Sequence, residues 1–313
     1  MLRNTGLALL TLAAVSLHAQ SLSGPLSGML FDSQTKSMRL IVGVPGAAYL
    51  GPESAPCDLA AVSPDGGAVL ALSAGRLALL RTSDPGAPAR LLADDGDGAL
   101  RIVWNHDSSA AAIAFHRRIE LWRNLNHDPE RLPLHLPTTD SPLSGLAVDP
   151  SGLGAAATFG GNLYYLDAEQ ARLLTTVEKP GGLAFSGNTL YLGDRAASQV
   201  LAIGNFQSSP EVALLAAGIE DPVALSLSPG SRSLLVAGAA SRSLLWLNPE
   251  SGEITARLEL DFQPSRLDRF SGQRPLYLLS DRATTLDPVQ ILDAGNDPAV
   301  YFIPAGNASQ VEE

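Results

Sequence analysis

Hydrophobic positions along this chain fall into short runs of three to five residues, each closed by a turn residue. The most regular run reads apolar-x-apolar-apolar-turn and returns seven times. It is Ala47-Ala48-Tyr49-Leu50-Gly51, Leu77-Ala78-Leu79-Leu80-Arg81, Ile119-Glu120-Leu121-Trp122-Arg123 and Leu163-Tyr164-Tyr165-Leu166-Asp167. It continues as Val200-Leu201-Ala202-Ile203-Gly204, Leu244-Leu245-Trp246-Leu247-Asn248 and Val289-Gln290-Ile291-Leu292-Asp293. The closing residues are 30, 42, 44, 37, 44 and 45 positions apart. Runs of this length bounded by turn formers predict strands.

Each repeat carries further strands at fixed places. A first strand alternates small with large residues: Leu59-Ala60-Ala61-Val62, Arg101-Ile102-Val103-Trp104, Gly145-Leu146-Ala147-Val148, Gly182-Leu183-Ala184-Phe185 and Ala224-Leu225-Ser226-Leu227. Such alternation suits strands crowded about an axis. Turns follow at Ser63-Pro64-Asp65-Gly66, Asn105-His106-Asp107-Ser108, Asp149-Pro150-Ser151-Gly152 and Ser228-Pro229-Gly230-Ser231. There Pro presets one angle and Gly permits a positive one. A second strand is almost wholly apolar, as in Ala68–Leu72, Ala110–Phe115, Leu190–Leu192 and Leu234–Val236. The recurrent run is the third strand. A more polar fourth strand follows at 171–174, 253–260 and 299–303, as an outer edge requires.

Four strands per repeat of about 40–45 residues predict an all-β propeller blade. Seven blades are expected, with a six-bladed ring as the alternative. The first blade is short, because no fourth strand is visible between Gly51 and Pro56. The last strand ends at Ile303, before Pro304 and Gly306. The expected organisation is a leader over residues 1–19, one propeller over 20–305 and a polar, mobile tail over 306–313.

Ser63-Pro64-Asp65-Gly66 in its apolar flank resembles the repeat of TolB-like and WD40-like propellers. Leu190-Tyr191-Leu192-Gly193-Asp194, followed by Gln199-Val200-Leu201, resembles the NHL and YVTN repeats of secreted bacterial proteins. The Gly-His and Trp-Asp dipeptides of true WD40 repeats are missing. The resemblance implies a binding platform more often than an enzyme, and a fold alone does not decide between them.

Arg3, the apolar stretch Gly6–Val15 and the small Ala19 before Gln20 read as a secretory signal cut after Ala19. The stretch is shorter than the roughly 20 residues needed to span a bilayer. The mature chain is therefore expected to be periplasmic or extracellular, soluble and monomeric. Without Arg3 it has 20 basic and 32 acidic residues, a net charge of −12, and only Lys36 and Lys179 as lysines. No basic stripe is present, which disfavours nucleic acid. Cys57 is the only cysteine, so no internal disulfide can form. It is expected to be buried as a small apolar residue.

Catalytic motifs are missing: there is no G-x-S-x-G, H-E-x-x-H or G-x-x-x-x-G-K. Gly152-Leu153-Gly154-Ala155-Ala156-Ala157 fits a relaxed dinucleotide fingerprint but leads into a strand, so it reads as a turn. His106, His116, His127 and His135 match no metal spacing. Asp94-Asp95-Gly96-Asp97-Gly98 invites calcium, yet from Asp95 the position that needs a bidentate Glu holds His106. Other calcium geometries stay open, and no cofactor beyond such an ion is expected.

The wider signal lies between blades. Pro56, Pro180, Pro222 and Pro264 each stand three residues before the first large residue of an inner strand, and Pro142 stands one residue earlier in register. The connections there carry Glu53, the Asp94, Asp95 and Asp97 group, Asp140, Glu178, Glu220 with Asp221, and Asp261. If they share one face, an acidic mouth results. Asp94, Asp95, Asp97, Asp140, Glu220, Asp221 and Asp261 are its main candidates, and its partner would be cationic. Ordinary turn chemistry also explains acids at these places.

Three functions follow. The first is a secreted, non-catalytic propeller that binds a protein or another macromolecule. The second is a calcium-dependent propeller hydrolase or lactonase, for which only Asp58 and Asp268 lie near inner strands. The third is a cofactor-dependent dehydrogenase outside the cytoplasm; a quinone-binding propeller usually has regular tryptophans, and this chain has three.

Overall fold

The computed structural model describes residues 26–44, 46–83, 87–271, 274–280 and 288–304. The expected leader and tail lie outside these residues. The described strands form seven antiparallel sheets arranged as a seven-bladed β-propeller. Six sheets have four strands in chain order, and the first has three. The only helical element among the described residues is a single 3-10 turn, Pro229–Ser231. No described helix is long and apolar enough to cross a membrane.

The second strands Ala111–Phe115, Ala155–Phe159 and Leu234–Gly238 are buried at every residue, which is why they read as apolar runs broken only by Thr158. The expected third strands ending near 81, 123, 167, 204, 248 and 293 are each third in their sheet: Arg76–Arg81, Ile119–Arg123, Asn162–Leu166, Gln199–Gly204, Ser243–Leu247 and Val289–Asp293. In the Ser63–Gly66 turn, Ser63 Oγ donates to Asp65 Oδ1 at 2.5 Å, and the Gly66 amide donates to Ser63 O at 2.8 Å. Gly66 has φ +72°, the left-handed conformation the turn demands.

Every pair of neighbouring sheets encloses an apolar cluster. Blades 4 and 5, for example, pack Leu163, Leu190, Ile203 and Phe206 together, each at most 1% exposed. The ring closes in the same way. Leu30, Ile41 and Leu50 of blade 1 pack on Phe270, Leu276, Val289 and Ile303 of blade 7. No described strand is exchanged between sheets.

The first blade departs from the expected register. Its strands are Leu26–Asp32, Ser37–Val42 and Tyr49–Pro56. Leu26–Asp32 resembles a second strand, not a first. It ends in Asp32, and the turn that follows contains Lys36 at φ 49°. The second strand Thr189–Asp194 of blade 5 ends in Asp194, with Ser198 at φ 53°. The Cys57 amide donates to Lys36 O at 2.8 Å, as Ile219 donates to Ser198 O at 2.9 Å. Ser37–Val42 therefore takes the third place and Tyr49–Pro56 the outer place. The run Ala47–Gly51 leads into the third strand of its three-stranded sheet, as expected, but that strand takes the outer place. The third-place strand was obscured by Arg39, which interrupts its apolar pattern. The Arg39 guanidinium is buried, donating to Gly51 O at 3.1 Å and lying 3.7 Å from Asp32.

Candidate functional site

Inter-blade connections begin beside the turn that joins the second and third strands of their own sheet. The bond from Cys57 to Lys36 has counterparts in Gly96 to Gly75 O, Val177 to Gly161 O, Ile219 to Ser198 O and Leu260 to Arg242 O, all at 2.7–2.9 Å. Several also touch the corresponding turn of the next sheet. Gly160 donates to Pro142 O, Arg195 to Lys179 O and Ala239 to Asp221 O. One backbone arrangement is thus repeated around the ring, and the acidic residues are carried on it.

These acids differ in what they touch. Asp95 is held by both guanidinium nitrogens of Arg131, at 3.0 and 2.8 Å, and its carbonyl accepts from Arg118. Arg118 also donates to Glu120 at 2.6 Å, and its guanidinium lies 3.7 Å from the Phe115 ring centre. Arg131 bonds the same Glu120, which is 3% exposed. The Arg131 hydrogen bond keeps the Asp95 carboxyl below the usual carboxylate range. Asp221 accepts two bonds from Arg195, at 2.6 and 3.1 Å, with the same effect on its carboxyl. These two acids remain ionised, but their charge is locally offset by arginine.

Asp94, Asp97, Asp140, Glu220 and Asp261 are exposed, as are Glu53 and Glu178. Asp97 lies against the Cα of Gly75, where an added Cβ would sit 2.6 Å from its carboxylate. Gly75 has φ +72°, so side chains are disfavoured there on both counts. Asp58, beside an inner strand, accepts the Ala74 amide at 2.8 Å. Asp268 pairs with Arg266. Among the described residues, no three or more His, Cys, Asp or Glu side chains converge as a metal site would.

Other sequence candidates take structural roles. The Gly152–Ala157 stretch is a turn running into the strand Ala155–Phe159, and a Cβ at Gly154 would meet the Tyr165 hydroxyl at 2.5 Å. His116, His127 and His135 are exposed. His106 is half-buried, and burial, helped by the Arg269 charge, pushes its imidazole below the usual value. Cys57 is buried, and burial pushes its thiol up to about 11. Sequence reasoning missed the arginine partners. Arg118 and Arg195 sit in turns between second and third strands, and that recurrent placement was the available signal.

No family model and no curated protein matches the chain. Solved structures do. Hydrazine synthase of Kuenenia stuttgartiensis is 12% identical with a TM-score of 0.52, covering 88% of this chain and 91% of that one. A functionally unknown protein from Desulfotomaculum acetoxidans is 12% identical with a TM-score of 0.59, covering 88% and 94%. A chain of a nidogen/laminin complex is 16% identical with a TM-score of 0.50, covering 74% and 91%. At these identities the likeness extends to the fold alone.

Proposed function

We propose that this propeller is a binding platform that works outside the cytoplasm and presents its acidic connections to a cationic protein or other macromolecule. The supporting observation is the bond that five connections make to the turn of their own sheet, with Pro142 O, beside Asp140, accepting instead from Gly160 in the corresponding turn of the next sheet. Because successive blades repeat one orientation, such connections would lie on one side of the disc. Their unpaired carboxylates would then raise a negative potential over that mouth. Asp94, Asp97, Asp140, Glu220 and Asp261 supply it, while Asp95 and Asp221 serve mainly to hold their connections. The likeness of Ser63–Gly66 and Leu190–Asp194 to the TolB-like and NHL/YVTN repeats agrees with a binding role.

The test uses polylysine as the probe. Association with the mature protein should weaken steeply as salt rises, since screening shortens the reach of the field. The triple variant Asp94→Asn, Asp97→Asn, Asp261→Asn should weaken it further. A control triple, Asp107→Asn, Glu169→Gln, Glu250→Gln, removes acids from the other class of turn and should have a smaller effect. Equal loss in the two triples, or no association at low salt, would sink the acidic-mouth reading. N-terminal sequencing of cell-derived protein should begin near Gln20; a start at Met1 would remove export.

A further inference from the structure

The outer strand of blade 7, Ala299–Ile303, pairs with the third strand Val289–Asp293, Ile303 opposite Val289 and Phe302 opposite Gln290. Third strands begin where the inter-blade connections lie, so Phe302 stands at that end of its blade. Val300 packs with Leu292 and Tyr277 at the contact with blade 6. Phe302, two residues on, shares that face of the strand, and it is 51% exposed.

An exposed apolar residue at this place is ordinary for the molecule. Leu91, Leu173 and Leu214 take it in blades 2, 4 and 5, opposite Ala78, Tyr164 and Leu201, and all three are exposed. What differs in blade 7 is the ring and what meets it. Phe262, from the connection between blades 6 and 7, packs edge-on against Phe302, with ring centres 5.8 Å apart and planes at 78°. Phe262 stands two residues beyond Leu260, whose amide donates to Arg242 O. At the matching place after Val177 and Ile219 the chain has Lys179 and Asp221. An edge-to-face pair holds its rings in a defined arrangement, and the exposure of Phe302 leaves much of that residue open to solvent. Asp261 precedes Phe262 in the same connection and is exposed. Asp95 and Asp221 are held by arginines, whereas Asp261 has no arginine partner among the described residues.

We propose that Asp261, Phe262 and Phe302 form a subsite that selects an arginine side chain of the cationic partner, its guanidinium lying over the Phe302 ring and its charge met by Asp261. The inference rests on the acidic-mouth reading for the sign of the partner's charge, and it adds which cation is preferred. A guanidinium is planar, weakly hydrated and stacks on aromatic faces, whereas an ammonium is a compact, strongly hydrated charge. The carboxylate attracts either cation, and the ring favours the guanidinium. Leu91, Leu173 and Leu214 offer no ring at the corresponding places, so the preference belongs to the rim between blades 6 and 7.

Polyarginine and polylysine of equal length are the probes, used with the mature protein at one low salt concentration. Phe302→Leu should weaken polyarginine binding about two- to fivefold, the range of an exposed cation–π contact, and change polylysine binding less. Leu214→Ala, at the matching place of blade 5, should change neither. Asp261→Asn should weaken both. Phe302→Trp keeps a ring, so it should keep the preference, and its fluorescence should respond to polyarginine more than to polylysine. If Phe302→Leu does not fold, that fluorescence decides alone. Unchanged polyarginine binding in Phe302→Leu, or an equal response of Phe302→Trp to the two polymers, would overturn the subsite. The acidic mouth would still stand in that case as long as polylysine binds. Polyarginine binding that depends on Phe302 without any polylysine binding would keep the subsite and remove the acidic mouth. If neither polymer binds, both fall.

Discussion

The contact between blades 5 and 6 and the contact between blades 1 and 2 are built on one plan from unequal material. Tyr191, Val200 and Ile219 of the former correspond to Met29, Met38 and Cys57 of the latter. The first set packs on Leu225, Leu227, Leu234 and Val236, all at most 7% exposed. The second packs on Ala60 and Val69, with Met29 and Phe31 only half covered. Less apolar area is removed from water at the second contact, so it contributes less stability. Repeat number alone therefore does not set how strongly a blade is held.

The largest effect should come from the strong contact. Leu234→Ala removes a fully buried side chain and should cost about 2–5 kcal/mol in urea unfolding. Gly182→Ala comes next. Its new Cβ would strike the backbone of Ala224 and Leu225 on the neighbouring inner strand, where neither side can yield easily, and overpacking of this kind costs about 1–3 kcal/mol. At the weak contact, Met29→Ala should cost only about 1 kcal/mol, since its side chain is already partly in water. A loss equal to that of Leu234→Ala would erase the contrast.

A smaller effect separates by pH. Asp221 has its folded pKa depressed by Arg195. Its stabilisation is therefore present above the unfolded value of about 3.9 and is lost as pH falls through the folded value. Asp221→Asn should cost up to about 1 kcal/mol at pH 7 and nothing once the native carboxyl is protonated. A constant difference at all pH would mean that packing, not charge, is responsible. The least energetic test is chemical. With its thiol pushed up to about 11, Cys57 should be roughly one-thousandth thiolate at pH 8 and resist iodoacetamide until the protein unfolds. Fast alkylation of the folded protein would show that the weak contact opens readily.

Most strands were legible in the residues because burial on both faces leaves a mark that periodicity detects. Ala111–Phe115 and Leu234–Gly238 carry no polar side chain at all. The short first blade was legible, but not which place each of its strands takes, because its middle strand, Ser37–Val42, contains a buried arginine. The pairing of Arg39 with carbonyls of Leu50 and Gly51 depends on a neighbour in space, and no local pattern announces it. The acidic connections were visible as composition. Their division into held and free carboxylates was not, because Arg131 and Arg195 lie 36 and 26 positions from the acids they bind.

Described sheets built from consecutive strands also dictate the order in which the molecule can assemble. Every ladder in blade 5 forms within residues 180–217, and blade 6 repeats this over 222–259. Such pairings close short loops and form early, whatever the rest of the chain is doing. The contact of Leu30 with Phe270 and Ile303 joins opposite ends of the chain and cannot precede them without a large entropic penalty. A chain emerging from its N-terminus would thus wind up blade by blade, with the closing of the circle as its last and slowest event.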